Sequence, residues 1–261
     1  MFILGIANQK GGVGKTTTVH NLGFGLAGRG YKTLMIDLDS QTSLSTACNC
    51  FLSDDDVSLV EVMHGLPLEQ AIRPLAENLD LVPSHPTLAA IDQAFAGAVR
   101  REYKLWQALK PVTEEGGYDL VVLDCPPVKG LMAQNAYVCM THLIVPIQCH
   151  FFSLQGMAMV DSTVQDWGQA ELLRPDFQYL GYLPTFFDKR NNLCNEVLDR
   201  LKNDYGELVF KQPIRNNIKL AEAPSHFQDI FTYMPNSIGA EDYNAFVEEV
   251  LNRLNLKKRR K

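Results

Sequence analysis

The octapeptide Lys10-Gly11-Gly12-Val13-Gly14-Lys15-Thr16-Thr17 follows directly on the apolar run Phe2-Ile3-Leu4-Gly5-Ile6-Ala7. This order reads as a buried strand ending in a glycine-rich turn that opens a helix. Glycines let backbone N–H groups approach an anion, and the helix N-terminus adds a favourable dipole, so the arrangement holds phosphates. The general pattern is G-x-x-x-x-G-K-[ST]. Here Gln9 stands at the first glycine position, Gly11-Gly12 and Lys10 compensate, and Gly14-Lys15-Thr16 completes the pattern. By position, Lys15 lies along the β- and γ-phosphates, Thr16 ligates Mg²⁺ and Thr17 donates to the α-phosphate. ATP and Mg²⁺ are therefore the expected ligands. Two lysines in one phosphate loop point to a chain that does more with its nucleotide than bind it.

Strand-like apolar runs alternate with helical patterns along the 261 residues. Strands are expected near 2–8, 33–39, 79–83, 120–125, 142–148, 179–186 and 208–213. Helices are expected near 15–27, 57–64, 87–109, 130–139, 154–172, 192–204 and 238–255. Continuous apolar strands are covered on both faces, and strand–helix alternation implies an α/β, doubly wound, mostly parallel sheet flanked by helices. The length suits one domain over 1–256, followed by a basic tail at 257–261. In the last helix, Val247, Val250, Leu251 and Leu254 form a stripe at helical spacing, which reads as core packing.

Several function classes fall away. No apolar run approaches the ~18–20 residues of a membrane span. The N-terminal run lacks a basic leader and breaks at Asn8-Gln9-Lys10, so it is no signal peptide, and a cytoplasmic protein is expected. The six cysteines contain no C-x-x-C pair, which argues against a zinc site, a disulfide framework or a cluster carrier. Net charge is −6, unevenly spread: residues 185–261 hold 13 Lys+Arg against 11 Asp+Glu, leaving −8 for the rest. An acidic body with a basic end can still touch polyanions locally.

Two acidic segments complete the nucleotide chemistry. Asp124 ends the apolar run Leu120-Val121-Val122-Leu123 and precedes Pro126-Pro127, which stop the strand. A carboxylate at the C-terminal edge of a parallel sheet is placed to hold Mg²⁺-bound water. Asp37 and Asp39 alternate by two on a predicted strand and project to the same side. Burying both charges is unfavourable, so one belongs at an open strand end. Asp39, the later residue, is the candidate to orient or deprotonate the attacking water, with a second possible contact to the Mg²⁺ shell through water. Asp37 is read as supporting the loop or that shell.

K-G-G-V-G-K-T-T resembles the deviant phosphate loop of the ParA/MinD ATPases. The resemblance continues in Asp37-Leu38-Asp39-Ser40-Gln41, similar to D-x-D-P-Q with Ser40 in place of proline. It reappears in Tyr118–Pro127 and in Arg215-Asn216-Asn217-Ile218-Lys219-Leu220-Ala221-Glu222-Ala223-Pro224, similar to R-N-x-x-x-x-E-A-P. It covers nearly the whole chain and lies closer to ParA/Soj than to MinD.

The resemblance implies a sandwich dimer formed on ATP binding, in which Lys10 reaches the partner's phosphates much as an arginine finger would. It places Gln41 beside the nucleotide and adenine contacts near Thr185, Pro213, Arg215 and Asn216. It implies nonspecific DNA binding, with Lys189, Arg190, Arg200, Lys202 and Lys219 as candidates, since phosphate contacts need charge but no base readout. It further implies slow hydrolysis stimulated by a ParB-like or other cargo adaptor, and a location on the nucleoid. The alternative is a MinD-like membrane-surface division-site regulator, although membrane contact is not expected. A small-molecule synthetase of the same fold is a third reading.

Overall fold

The computed structural model describes residues 1–53, 55–114, 116–150 and 153–256, with backbone alone over 153–155; the basic tail at 257–261 lies outside the described residues. The elements run β1 (Phe2–Ile6), α1 (Lys15–Ala27), β2 (Thr33–Asp37), α2 (Ser43–Ala47), α3 (Leu59–Met63), β3 (Arg73–Ala76), β4 (Leu79–Val82), α4 (Ile91–Ala94), α5 (Lys104–Glu114), β5 (Leu120–Asp124), α6 (Leu131–Cys139), β6 (His142–Gln148), α7 (Ser153–Gln169), β7 (Gln178–Thr185), α8 (Asn192–Tyr205), α9 (Ile218–Glu222), α10 (Ile230–Tyr233) and α11 (Ile238–Arg253). Among the described residues, seven strands form one sheet in the order β3-β4-β2-β5-β1-β6-β7. All pairings are parallel except β3 with β4. This is the doubly wound sheet that the strand–helix alternation predicts.

The central strands are apolar throughout because both of their faces are covered. Ile3, Leu34, Ile36, Val121 and Leu123 point to one side and share a core with Leu105 and Leu109 of α5, Ala136 of α6, Val160 of α7 and Leu201 of α8. Leu4, Met35, Leu120 and Val122 point to the other, against Val19 and Leu22 of α1 and Phe246 and Val250 of α11. The stripe Val247, Val250, Leu251 and Leu254 is buried in this second core. It is therefore not presented to a membrane surface. Among the described residues no helix is long and apolar enough to cross a bilayer.

Two expectations need correction. The run 208–213 makes a single parallel bridge, Tyr182 to Val209, and no strand. A 3₁₀ turn over Gly206–Leu208 precedes it, and Pro213 has no N–H to offer a ladder. The helix expected over 87–109 is broken. A 3₁₀ turn (Pro86–Ala90) leads into α4, and a second (Arg101–Tyr103) leads into α5. Leu88, Ile91, Phe95, Leu105 and Leu109 keep helical spacing across the break, but Gly97 interrupts it and Arg100 turns left-handed at φ 56°. At the sheet edge, β3 is four residues long, contains Pro74, and shifts register between Pro74 and Ala76.

Candidate nucleotide site

The turn after β1 is fastened on three sides. The Asn8 side-chain oxygen accepts from Lys10 N at 2.9 Å, and its nitrogen donates to Pro146 O at 2.8 Å. The Thr185 hydroxyl donates to Val13 O at 2.9 Å. Gln9 Nε2 donates to Met159 O at 3.0 Å, tying the turn to α7. Gly12 and Gly14 take φ of 73° and 90°, a conformation strained for side chains with a Cβ. Gly14 then serves as the N-cap of α1, with no side-chain cap and no acid in the first turn. The contrast with α3 is direct: there Ser58 and Glu61 form a reciprocal capping box. The first N–H groups of α1 are left for an external anion.

Lys10, Gly11, Gly12, Val13, Gly14, Lys15, Thr16 and Thr17 come together here as the sequence order requires. Gly11, Gly12, Gly14, Lys15, Thr16 and Thr17 border a cavity of about 430 Å³, joined by Asp39 and Gln41. Lys15 is buried, and its ammonium donates to the Lys10 carbonyl at 3.3 Å. Burial pulls its pKa down, opposed by Asp124, Cys125 and Asp39.

The acids behind the loop differ in their surroundings. Strand register sets Asp124 beside both Ile6 and Asp37. Asp124 is buried, and neither carboxylate oxygen has a hydrogen-bond partner of good geometry. Burial pushes its pKa well above the usual carboxylate range, and Asp37 adds to this; the Thr16 hydroxyl and Lys15 oppose it. Asp37 is also raised, to about 6, mainly by burial. It accepts from Ser45 N at 2.9 Å, Ser45 Oγ at 2.7 Å and Asp39 N at 3.1 Å, so it holds the loop into α2. The alternation predicts Asp37 and Asp39 on one strand, but β2 ends at Asp37. Asp39 lies just beyond, half-buried, with Oδ1 accepting from Gln41 N at 3.0 Å. The open position expected of one acid is thus filled by Asp39. Among the described residues no group of three or more His, Cys, Asp or Glu could hold a metal ion. A divalent ion here would need oxygens from a ligand besides Thr16 and the acids.

A second cavity of about 500 Å³ adjoins the first across Gly14, Thr17 and Phe186. Phe186, Ile214, Ile218, Leu220 and Tyr243 are among the residues that line it, and backbone hydrogen bonds join its loops. Phe187 N donates to Ile214 O and Asn216 N to Phe187 O, both at 3.0 Å, and Phe186 turns left-handed at φ 52°. Thr185, Arg215 and Asn216 line it as the sequence suggests. Pro213 borders neither cavity; the neighbouring Ile214 does, and Pro213 O accepts from Gln212 instead. The Arg215 guanidinium is committed to protein: Nε and Nη2 reach the fully buried Asp242 at 3.0 and 2.6 Å, and Nη2 reaches Glu241 at 2.6 Å.

The basic candidates spread over the surface. Arg190 pairs with Asp188 at 3.0 Å, Arg200 with Asp204 at 3.4 Å and Lys219 with Glu222 at 2.8 Å. Lys189 and Lys202 are exposed and carry no ion pair among the described residues. Sequence reading missed His20, Phe186, Ile214 and Tyr243, which also line the two cavities. Of these, only His20 carried a signal, since it stands four residues after Thr16 on one helix face.

Comparison with known proteins places this geometry. A protein family described as AAA domain (AAA_31) matches residues 1–178. The chromosome partitioning protein ParA of Caulobacter vibrioides is 32% identical over 253 residues, covering 96% of this chain and 94% of that protein. The sporulation initiation inhibitor protein Soj of Bacillus subtilis is 34% identical over 258 residues, covering 95% and 97%. Among solved structures, cobyrinic acid a,c-diamide synthase from Mycobacterium smegmatis, with a bound ATP analogue and magnesium, superposes at a TM-score of 0.83 with 31% identity, covering 99% of this chain and 98% of that one.

Proposed function

Because this chain belongs to the ParA/Soj family of partitioning ATPases, we propose that it uses ATP and Mg²⁺ to switch between a free state and a DNA-bound dimer that moves or positions a cargo. The observation that carries the reading is a set of groups at the start of α1: its uncapped N-terminus and the buried Lys15 border one cavity, and behind them the Asp124 carboxylate has no hydrogen-bond partner of good geometry. A polyphosphate supplies acceptors to the first two, and a hydrated cation supplies donors to the third.

In this reading Lys15 and the N–H groups of residues 11–17 grip the phosphates, and Gln41 stands at the rim. Thr16 and, through water, Asp124 would hold Mg²⁺, which supplies charge neutralisation at the phosphates when bound; Asp39 is a second candidate through water. Asp39 orients and deprotonates the attacking water, because it is the acid with an open approach. Thr185, Ile214, Arg215 and Asn216 frame the base, largely through backbone and shape. Lys10 acts across the dimer: a cation supplied in trans offsets transition-state charge only when two loaded chains meet. Hydrolysis is therefore slow until a ParB-like or other adaptor stimulates it. Lys189 and Lys202, free of ion pairs, are the stronger DNA candidates; Arg190, Arg200 and Lys219 must share their charge with acids. The protein acts in the cytoplasm on the nucleoid.

Salt-sensitive binding to arbitrary-sequence duplex DNA with ATP, and its loss with ADP, is the expected result in a gel-shift or pelleting assay. Equal DNA binding in both nucleotide states would sink the switch. ATP turnover that responds to an amide-forming small-molecule substrate and not to DNA would favour a synthetase instead.

A further inference from the structure

His20 is a polar group in the nucleotide cavity that none of the roles above employs. It stands on α1 one turn beyond Thr16 and borders the same space as Lys15, Thr16 and Asp39. Ser43 and Ala47 of α2 and Pro224 border the same cavity. The residue is 2% exposed, and its Nε2 has no hydrogen-bond partner. Its ring stands edge-on to Phe24 with centroids 5.1 Å apart, a contact that packs the ring but satisfies no nitrogen. The charge that acts on it is Asp229, but that carboxylate is already engaged by Phe231 N, Thr232 N and Thr232 Oγ1.

An unpartnered buried ring nitrogen is unfavourable, and an aliphatic side chain would fill the space without that penalty. Among the described residues no cluster of metal-ligating side chains accounts for it. Burial holds the imidazole pKa down to about 4, so the ring is neutral and offers one donor and one acceptor. A neutral ring suits a hydrogen bond to a phosphate oxygen or to a water held by it.

We propose that His20 is a further nucleotide-binding residue, its free ring nitrogen hydrogen-bonding to the triphosphate, directly or through one water, once the cavity is loaded. The inference rests on the nucleotide-site reading above.

The test uses the full chain labelled with ¹⁵N-histidine, with the His20 ring signals assigned by their loss in His20→Gln. The probe is a non-hydrolysable ATP analogue with Mg²⁺. The His20 ring signals should move on saturation. His20→Leu should raise the analogue's Kd about 3–10-fold, the scale of one lost neutral hydrogen bond, and His20→Gln should restore it to within about 2-fold. Ring signals that ignore the analogue would overturn the proposal, as would wild-type affinity in His20→Leu or equal losses in both variants. If His20→Leu does not fold, the wild-type ring signals decide alone. Lys15→Ala separates the two readings. A wild-type chain that binds no analogue breaks the nucleotide site itself. Binding that Lys15→Ala removes and His20 does not influence breaks only this inference.

Discussion

The two halves of the nucleotide cleft are built on opposite principles. On the phosphate side, polar groups are left open: Asp124 has no hydrogen-bond partner of good geometry, Lys15 donates to one carbonyl, and α1 starts without a side-chain cap. On the base side everything is closed. Arg215 is gripped by Asp242 and Glu241, Thr185 is bound to Val13 O, and the Asn217 side chain caps α9. The first half is completed by its ligand; the second is completed by the fold. The proposed recognition therefore divides into electrostatic capture at one end and shape, held by the fold, at the other.

Breaking this contrast should show its largest effect at Lys10. Lys10→Ala should lower adaptor-stimulated ATP turnover by about 10³-fold and abolish ATP-dependent dimerisation in light scattering, on the scale of a cation supplied in trans. If both matched wild type, the phosphate side would be complete within one chain.

Next in size is the base side. Arg215→Ala takes the guanidinium from the fully buried Asp242, which keeps Gln212 Nε2 and the N–H of residue 215 as donors but no cation, and should lower unfolding stability by roughly 3 kcal/mol, or about 6–12 °C in Tm. Nucleotide affinity of the folded fraction should change little. A large loss of affinity without loss of stability would make Arg215 a ligand contact and erase the distinction.

Asp124→Asn should do the reverse. Burial beside Asp37 disfavours the Asp124 charge, a cost that Asn does not carry, so the Tm of nucleotide-free protein should rise by about 2–6 °C while the added stabilisation by Mg–ATP disappears. Thermal scans with and without nucleotide check both parts.

The smallest effect is one of pH. His20 titrates lower in the fold than unfolded, so its contribution is intact above about pH 6.5 and is lost as pH falls towards 4. Asp37 is raised to about 6, so the fold takes up its proton first and gains stability as pH falls from 6 towards 4. The two slopes oppose each other, with Asp124, also raised, adding to that of Asp37, so in the nucleotide-free wild type His20 should flatten the pH profile from 4 to 6. His20→Leu should tilt it, with denaturation midpoints rising as pH falls. A flat profile in the variant would mean that the two sites do not oppose each other.

The phosphate side was legible in the sequence because its chemistry is local. Glycines, lysines and threonines sit within eight consecutive residues, and Asp39 and Asp124 each follow an apolar strand. The base side was not, because its meaning lies in distant partners. Arg215 reads as a ligand contact until Asp242, 27 positions later, is seen beneath it. Pro213 and Ile214 are neighbours in sequence, yet only Ile214 faces the cavity. The central strands were clear from unbroken apolar runs, whereas β3 was invisible, being short, half-exposed and interrupted by Pro74. The helix pattern over 87–109 misled because apolar spacing survives a break that only Gly97 marks. His20 needed α2 and Pro224 brought to the same cavity before it meant anything.

The register slip and proline in β3 govern what crowding can do to this protein. A ragged, four-residue margin offers no straight template on which another molecule could extend the sheet. That margin of the sheet therefore does not seed growth by strand addition when many copies are brought close together.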